Sequence, residues 1–271
     1  MSEGTLPECF KTAKIIPIFK SGESNSTMNC SPISMLSFLS KTFEKLMCAR
    51  LDSYLKSNNI LCTNQFGFRK NSNTSDAIIE FLDYVYSSLD SKQSTTAVYL
   101  YFSKAFDTLY HNKFMSKLLH KGVKDVTQHW FEPYLSNTEQ YVSIKNCSST
   151  ISNSTLGVPQ GLVLGPVFFL LYINDMYRSS NQMRFAHFAD ETTVFASDSD
   201  IDNVHATVNR ELVGVDNWLK ANKLSLNASK TSYMIISKYK YAIDNRIRDS
   251  ILTKVLTVKF IGVKILLLMT M

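Results

Sequence analysis

Two acidic residues, Asp190 and Glu191, stand side by side within RFAHFADETTVFAS (184–197), where two apolar runs meet at a short break. The runs read as strands joined by a tight turn, with the acidic pair at the tip. Such a pair has two readings. Either both are solvated turn residues, or they are hard oxygen ligands for a divalent cation, held still by the strands beneath. A second stretch, AVYLYFSKAFD (97–107), opens like a buried strand and breaks into a polar loop ending at Asp107. Enzymes often hang catalytic groups on such strand ends, yet the last strand position is a phenol, Tyr101. A third stretch, GVPQG (157–161), brackets Gln160 between Gly157 and Gly161. It is either an ordinary helix-start turn or a loop whose glycines let backbone approach a ligand closely.

Periodicity supplies the elements that must position these groups. Residues 11–20 (KTAKIIPIFK) read as extended, since Pro17 interrupts any helix, and 21–31 as a polar loop. A helix over Ser40–Lys56 places Phe43, Leu46, Met47, Leu51 and Leu55 on one face, with Ser40 as its N-cap. Helices follow at Thr74–Leu89, His111–His120 and Val126–Leu135, a strand at Tyr141–Ile144, and an apolar helix at VFFLLYINDMYR. Beyond the acidic turn comes a helix over about Asp202–Ala221, with Val208, Leu212, Val215 and Leu219 on one face. Tyr233–Ile236 and Val255–Ile265 close as short strands. Strands paired mainly by hairpins, with helices interspersed, give an α+β fold.

Composition narrows the function class. The 271 residues carry a net charge of +6, which is compatible with nucleic acid or anionic surfaces without requiring either. The five cysteines (Cys9, Cys30, Cys48, Cys62, Cys147) form no CxxC pair, which argues against a zinc site or disulfide framework and for a reducing compartment. The N-terminus has no apolar signal core. The longest apolar runs, VFFLLYI and ILLL, are too short to span a bilayer. The expectation is an intracellular protein, nuclear or cytoplasmic, with no membrane partner.

Eight segments carry a resemblance that none carries singly: KTAKIIPIFKSG, SPISMLSFLSKTFEKLMCARL, NQFGFRKNSNTSDAI, YFSKAFDTLYHNKF, GVPQGLVLGPVFFLLYINDM, FADETTVFA, WLKANKLSLNASKTSYMI and VKFIGVKI. In this order, from about Lys11 to Ile265, the chain resembles the reverse-transcriptase domain of non-LTR retrotransposons of the jockey/BS branch. The resemblance implies a right-hand polymerase: a reverse-transcriptase domain over 1–265, about 1–95 mostly fingers and 96–265 mostly palm with some fingers, then a truncated tail at 266–271. The palm would be an antiparallel sheet backed by helices, with the thumb expected to be missing. It implies RNA-directed DNA polymerase activity, with an RNA or DNA template–primer and deoxynucleoside triphosphates as partners. Mg²⁺ (or Mn²⁺) would be the cofactor, as two cations about 3.5–4 Å apart held by carboxylates.

Residue by residue, the resemblance makes Asp190 and Glu191 the metal-binding pair of the family's Tyr-Ala-Asp-Asp turn. Tyr101 falls at its first catalytic aspartate, and Lys230 at a lysine near the departing pyrophosphate. Phe106 matches the bulky group that excludes a ribose 2′-hydroxyl, and Gln160 and Gly161 the loop lining template and incoming base. Lys20 and Arg69 match basic positions facing phosphates. VKFIGV matches the strand that supports the primer.

The departures fall on the chemistry. A neutral phenol with a pKa of about 10 is a poor substitute for a carboxylate on Mg²⁺. Asp107 offers little rescue, because the family carries an aspartate there alongside the catalytic one. Glu191 replaces an aspartate, keeping the charge but adding a methylene. Ser31 stands where the family has an arginine clamping the triphosphate, which removes a forked cation. Leu162 replaces a small polar residue. The sequence thus reads as a truncated, degenerate copy whose nucleotidyl transfer is impaired or lost. The alternative is a non-catalytic remnant that still binds nucleic acid.

Overall fold

The computed structural model describes residues 11–20, 22–23, 26, 29–136, 138–145, 147–154, 156–238, 246–247, 250–261 and 263–266. Cys9, much of the 21–31 loop and residues 267–271 of the tail lie outside them. The first elements are β1 (Thr12–Phe19), β2 (Cys30–Met35), α1 (Phe38–Ser57), α2 (Thr74–Asp90), β3 (Ser94–Tyr101), α3 (His111–His120) and α4 (Asp125–Ser136). Then come β4 (Thr138–Ile144), β5 (Cys147–Ser148), β6 (Ser152–Ser154), α5 (Gly165–Ile173), β7 (Arg184–Phe188), β8 (Glu191–Asp198) and α6 (Ile201–Ala221). The last are β9 (Ser232–Ile236), β10 (Arg246–Ile247), β11 (Ser250–Ile251), β12 (Thr253–Lys254), β13 (Thr257–Phe260) and β14 (Val263–Leu266). The fold is α+β, and the chain divides into two compact units. One holds residues 1–61 and 104–172, the other 62–103 and 173–271.

In the first unit β1 pairs antiparallel with β2 and parallel with β4, and β4 pairs antiparallel with β5 and β6. Strand β4 starts at Thr138 rather than Tyr141, because its first residues pair with both β1 and β6. Helix α1 departs from the sequence expectation at two places. Its N-cap is Ser37, whose hydroxyl accepts from Ser40 N, so the helix starts two residues earlier. Its buried face is Ser40, Glu44, Met47, Leu51 and Leu55, while Leu46 is 49% exposed. The true face keeps the helical period but includes a carboxylate, which a search for apolar residues passes over. Helix α5 is apolar all round, and Phe168, Phe169, Leu170, Leu171 and Tyr172 are all buried, as such a helix must be.

The second unit is built on the sheet β12-β9-β3-β8-β7. Pairings β3–β8, β3–β9 and β7–β8 are antiparallel, and β12 adds to β9 in parallel. Central β3 is buried from Ser94 to Leu100, which is why it reads as a continuous apolar run rather than an alternation. Helix α2 begins with a capping box between Asn73 and Asp76 and buries Phe81 and Val85 with Tyr99, Phe195 and Phe260. Helix α6 packs on β3 and β8, with Val208, Leu212, Val215 and Leu219 buried. The expected strand Val255–Ile265 is instead a hairpin, β13–β14, that reverses beyond Phe260. Ile261 has φ of 50°, a left-handed conformation that ends an extended run. Among the described residues no helix is long and apolar enough to cross a membrane.

Candidate active site

Strands β7 and β8 pair down to Phe188 and Glu191, leaving Ala189 and Asp190 as a two-residue turn. Ala189 has φ of 56°, which costs a non-glycine residue about 1 kcal/mol or more. A loop of the same unit braces the turn. Phe66 N donates to His187 O at 2.9 Å and His187 N to Asn64 O at 2.8 Å, so the loop runs along the outer edge of β7. Gly67 comes so near that an added Cβ would lie 2.2 Å from Ala189 N. Gly67→Ala is expected to push the turn away and destabilise the unit by about 2 kcal/mol. The check is the urea midpoint, and an unchanged midpoint would show that the turn yields without cost.

His187, three residues before Asp190, is buried, with Nδ1 2.9 Å from Thr192 Oγ1 and no partner for Nε2. Burial pushes its pKa down to about 4, against about 6.5 in an unfolded chain. The folded state therefore resists protonation that the unfolded state accepts. Stability is full above pH 6.5 and falls as the pH drops towards 4, by on the order of 3 kcal/mol. Urea midpoints measured across that window should slope for the unaltered chain and flatten for His187→Gln. Equal slopes would contradict the assignment.

Tyr101 ends β3 directly opposite Glu191. Its backbone is fixed by the segment that follows α6: Asn227 N donates to Tyr101 O at 2.8 Å and Tyr101 N to Thr231 Oγ1 at 3.5 Å. The phenol does not reach toward the acidic turn as a ligand. Tyr101 Oη donates to the backbone carbonyl of Lys259 at 3.0 Å. Glu191 makes the companion contact, with Oε2 accepting from Ile261 N at 3.2 Å. Burial, then Glu191 and Asp190, raise the Tyr101 pKa, so the hydroxyl keeps its proton and remains a donor. Burial also raises the pKa of Glu191; the Ile261 N–H, Lys259 and Lys230 oppose the rise, while Asp190 adds to it. Lys230 is exposed and follows the Asn227 turn, close enough for its charge to act on Glu191.

Arg69 is in the same unit, but its guanidinium braces its own loop. Nη1 donates to Cys62 O at 3.0 Å and to Gln65 O at 3.2 Å. The other positions singled out by the resemblance belong to the first unit. Phe106 is half-buried against Phe169, with ring centroids 5.1 Å apart, and its carbonyl accepts from Val158 N at 2.7 Å. Gly157 has φ of +79° and packs on the Asp107 backbone, where a Cβ would meet Asp107 O at 2.6 Å. Gln160 Nε2 lies 3.4 Å from Asp107 Oδ1, and its carbonyl accepts from Ser34 N at 2.7 Å. Gly161 is exposed with φ of +99°. Ser31 pairs with Ile18 across β1 and β2, and Lys20 follows the end of β1 with its side chain exposed.

Three contributors escape sequence reasoning. Glu44, buried on α1, accepts from Val163 N at 2.8 Å and from the Tyr134 hydroxyl, and so holds the chain just beyond Gln160–Gly161. Its signal was a lone charge at helical spacing with Leu51 and Leu55. The Lys259 carbonyl and Ile261 amide left no signal, being backbone. As for a divalent cation, Asp190 and Glu191 offer two carboxylates, one of them already engaged by Ile261 N. The third position offers a phenol that is donating elsewhere. Among the described residues no cluster of three or more His, Cys, Asp or Glu could hold a metal. These residues do not fit the donor set that a pair of divalent cations needs.

Comparisons with known proteins agree with the blocks that carry the resemblance. Residues 20–265 match the family described as reverse transcriptase (RNA-dependent DNA polymerase). The chain is 28% identical over 239 residues to the probable RNA-directed DNA polymerase from transposon BS of Drosophila melanogaster. It is 25% identical over 238 residues to the RNA-directed DNA polymerase from mobile element jockey of the same organism. These matches cover 83% and 84% of this chain but 26% of each relative, so the chain spans about a quarter of their length. Among solved structures, the apo telomerase from Candida tropicalis truncated from its C-terminal domain superposes with a TM-score of 0.62 at 14% identity. That match covers 98% of this chain and 55% of the telomerase, a likeness of fold alone. The chain belongs to the reverse transcriptase (RNA-dependent DNA polymerase) family and is related to the jockey and BS polymerases.

Proposed function

We propose that this domain grips a template–primer as its relatives' polymerases would, but is impaired in nucleotidyl transfer. The observation that carries the reading is the Tyr101 hydroxyl, committed as a donor to Lys259 O where the family places a carboxylate. A site with Asp190 and Glu191 alone lacks the third anion that holds two divalent cations, and Ser31 leaves the triphosphate without a forked cation. In this reading residues up to about 95 are mostly fingers, and 96–265 are mostly palm with some fingers. Phe106, Gln160 and Gly161 line the template and incoming nucleotide, while Lys20 and Lys230 meet phosphates. Arg69 shapes its loop more than it contacts a ligand, since two of its N–H groups are taken by backbone carbonyls. The framework that would bind RNA or DNA is thus kept, and the net charge of +6 favours a polyanion.

Fluorescence anisotropy of a labelled duplex with a recessed 3′ end tests the binding half of this reading. The logarithm of the association constant should fall linearly with that of salt, with a slope set by the number of phosphates neutralised. Affinity that does not depend on salt, or no binding at low salt, would overturn it.

A further inference from the structure

The replacement at position 101 does more than remove a ligand. Lys259 and Ile261 lie at the end of β13, two residues apart, and each is tied through its backbone to one member of the facing pair Tyr101 and Glu191. The two ties need opposite chemistry. The Lys259 carbonyl takes a donor, which a phenol supplies and a carboxylate does not. The Ile261 N–H takes an acceptor, which Glu191 supplies. Beneath the ties, Val258, Phe260 and Ile261 are buried in the α2-side core, with the Phe260 ring 5.9 Å from that of Tyr99. Apolar packing brings the hairpin down, and the polar pair fixes where its tip meets the acidic turn.

We infer that Tyr101 and Glu191 act together as positioning residues, a two-point tie that pins the β13–β14 hairpin to the acidic turn. An aspartate at 101 and this tie exclude each other, because an ionised carboxyl has no proton to give the Lys259 carbonyl and would repel it. The phenol is therefore a gain of hairpin anchorage as well as a loss of a ligand. If the hairpin supports a primer, the tie sets where the 3′ end rests; that extension depends on the template–primer reading, while the tie itself does not.

Amide hydrogen exchange on the full chain without nucleic acid tests the tie directly. Tyr101→Phe keeps the ring and loses the donor, and Glu191→Ala loses the acceptor. Each is expected to speed exchange across residues 257–261 by roughly three- to tenfold, the range that one net hydrogen bond supplies. Glu191→Gln keeps an amide oxygen for the Ile261 N–H and should restore near-unaltered exchange, which separates the hydrogen bond from the charge. Protection of β3 and β8 amides in the same samples reports whether each variant is folded. Unchanged hairpin exchange in a folded Tyr101→Phe, or Glu191→Gln behaving like Glu191→Ala, would overturn the tie. A second arm compares affinity for a recessed 3′ end with that for a blunt duplex of equal length. Tyr101→Phe should lose several-fold of any preference for the recessed end, and a retained preference would overturn the link to primer placement. A chain that binds neither duplex would sink the template–primer reading and leave the exchange result standing.

Discussion

A chain carrying both Tyr101→Asp and Ser31→Arg is expected to extend a primed template at least roughly a hundredfold faster than the unaltered chain, on the scale of one well-placed electrostatic group at a reacting centre. The first change returns a compact anion to the end of β3, opposite Glu191. The second returns a bidentate cation to β2, at the position paired with Ile18. Each alone should recover less. Tyr101→Asp restores the anion but releases the Lys259 carbonyl, so the hairpin tip loosens as the ligand returns. Ser31→Arg improves nucleotide contact while leaving two carboxylates to do the work of three. Gel-resolved extension with Mg²⁺ and with Mn²⁺ distinguishes these outcomes. Equal extension by the unaltered and doubly altered chains would mean that position 101 does not limit transfer.

Glu44→Ala is expected to destabilise the first unit by about 3 kcal/mol, because it strips a buried charge-assisted acceptor from two donors at once. The buried Tyr134 hydroxyl and the N–H of half-buried Val163 would both lose their partner. Burial holds the Glu44 pKa above the ordinary carboxylate range, although its two hydrogen bonds and Lys41 pull the other way. The penalty of desolvation is thus built into the fold, and the hydrogen bonds offset it. Glu44→Gln keeps an acceptor for one donor and should cost about half as much. Urea unfolding gives both values, and exchange of the Val163 amide should rise in step with them. A Glu44→Ala chain as stable as the unaltered one would show that this carboxylate anchors nothing.

The sequence made the framework readable where a side-chain pattern and a backbone element coincide. The acidic turn is such a case in part: apolar strands on both sides leave Asp190 at the tip, while Glu191 is the first residue of β8, paired with Phe188 and facing Tyr101, rather than a turn residue. Buried β3 and the face of α6 are two more. On helix α1 Met47, Leu51 and Leu55 were read correctly, but Leu46 was placed inside and Glu44 passed over, because Glu44 breaks the apolar pattern while obeying the helical period. The β13–β14 reversal was missed because alternation looks the same whether a strand continues or turns back. In the site, the residue types at 101, 190 and 191 were legible as chemistry, and so was the oddity of a phenol among acids. What the phenol does instead was not legible, because its partner is a carbonyl that every residue possesses. Arg69 gives the same lesson. The resemblance sets it among basic positions facing phosphates, and that its Nη1 also binds the Cys62 and Gln65 carbonyls was not legible, because those partners are backbone.

Single-turnover extension by the unaltered chain, at a protein concentration that saturates a labelled template–primer, separates binding from nucleotidyl transfer. The labelled duplex should be bound, and no primer lengthened by one nucleotide should accumulate in the time the doubly altered chain takes to complete its turnover, with either Mg²⁺ or Mn²⁺ and all four deoxynucleotides present. Steady accumulation of that product by the unaltered chain, lost in Asp190→Asn, would contradict the claim that transfer is impaired.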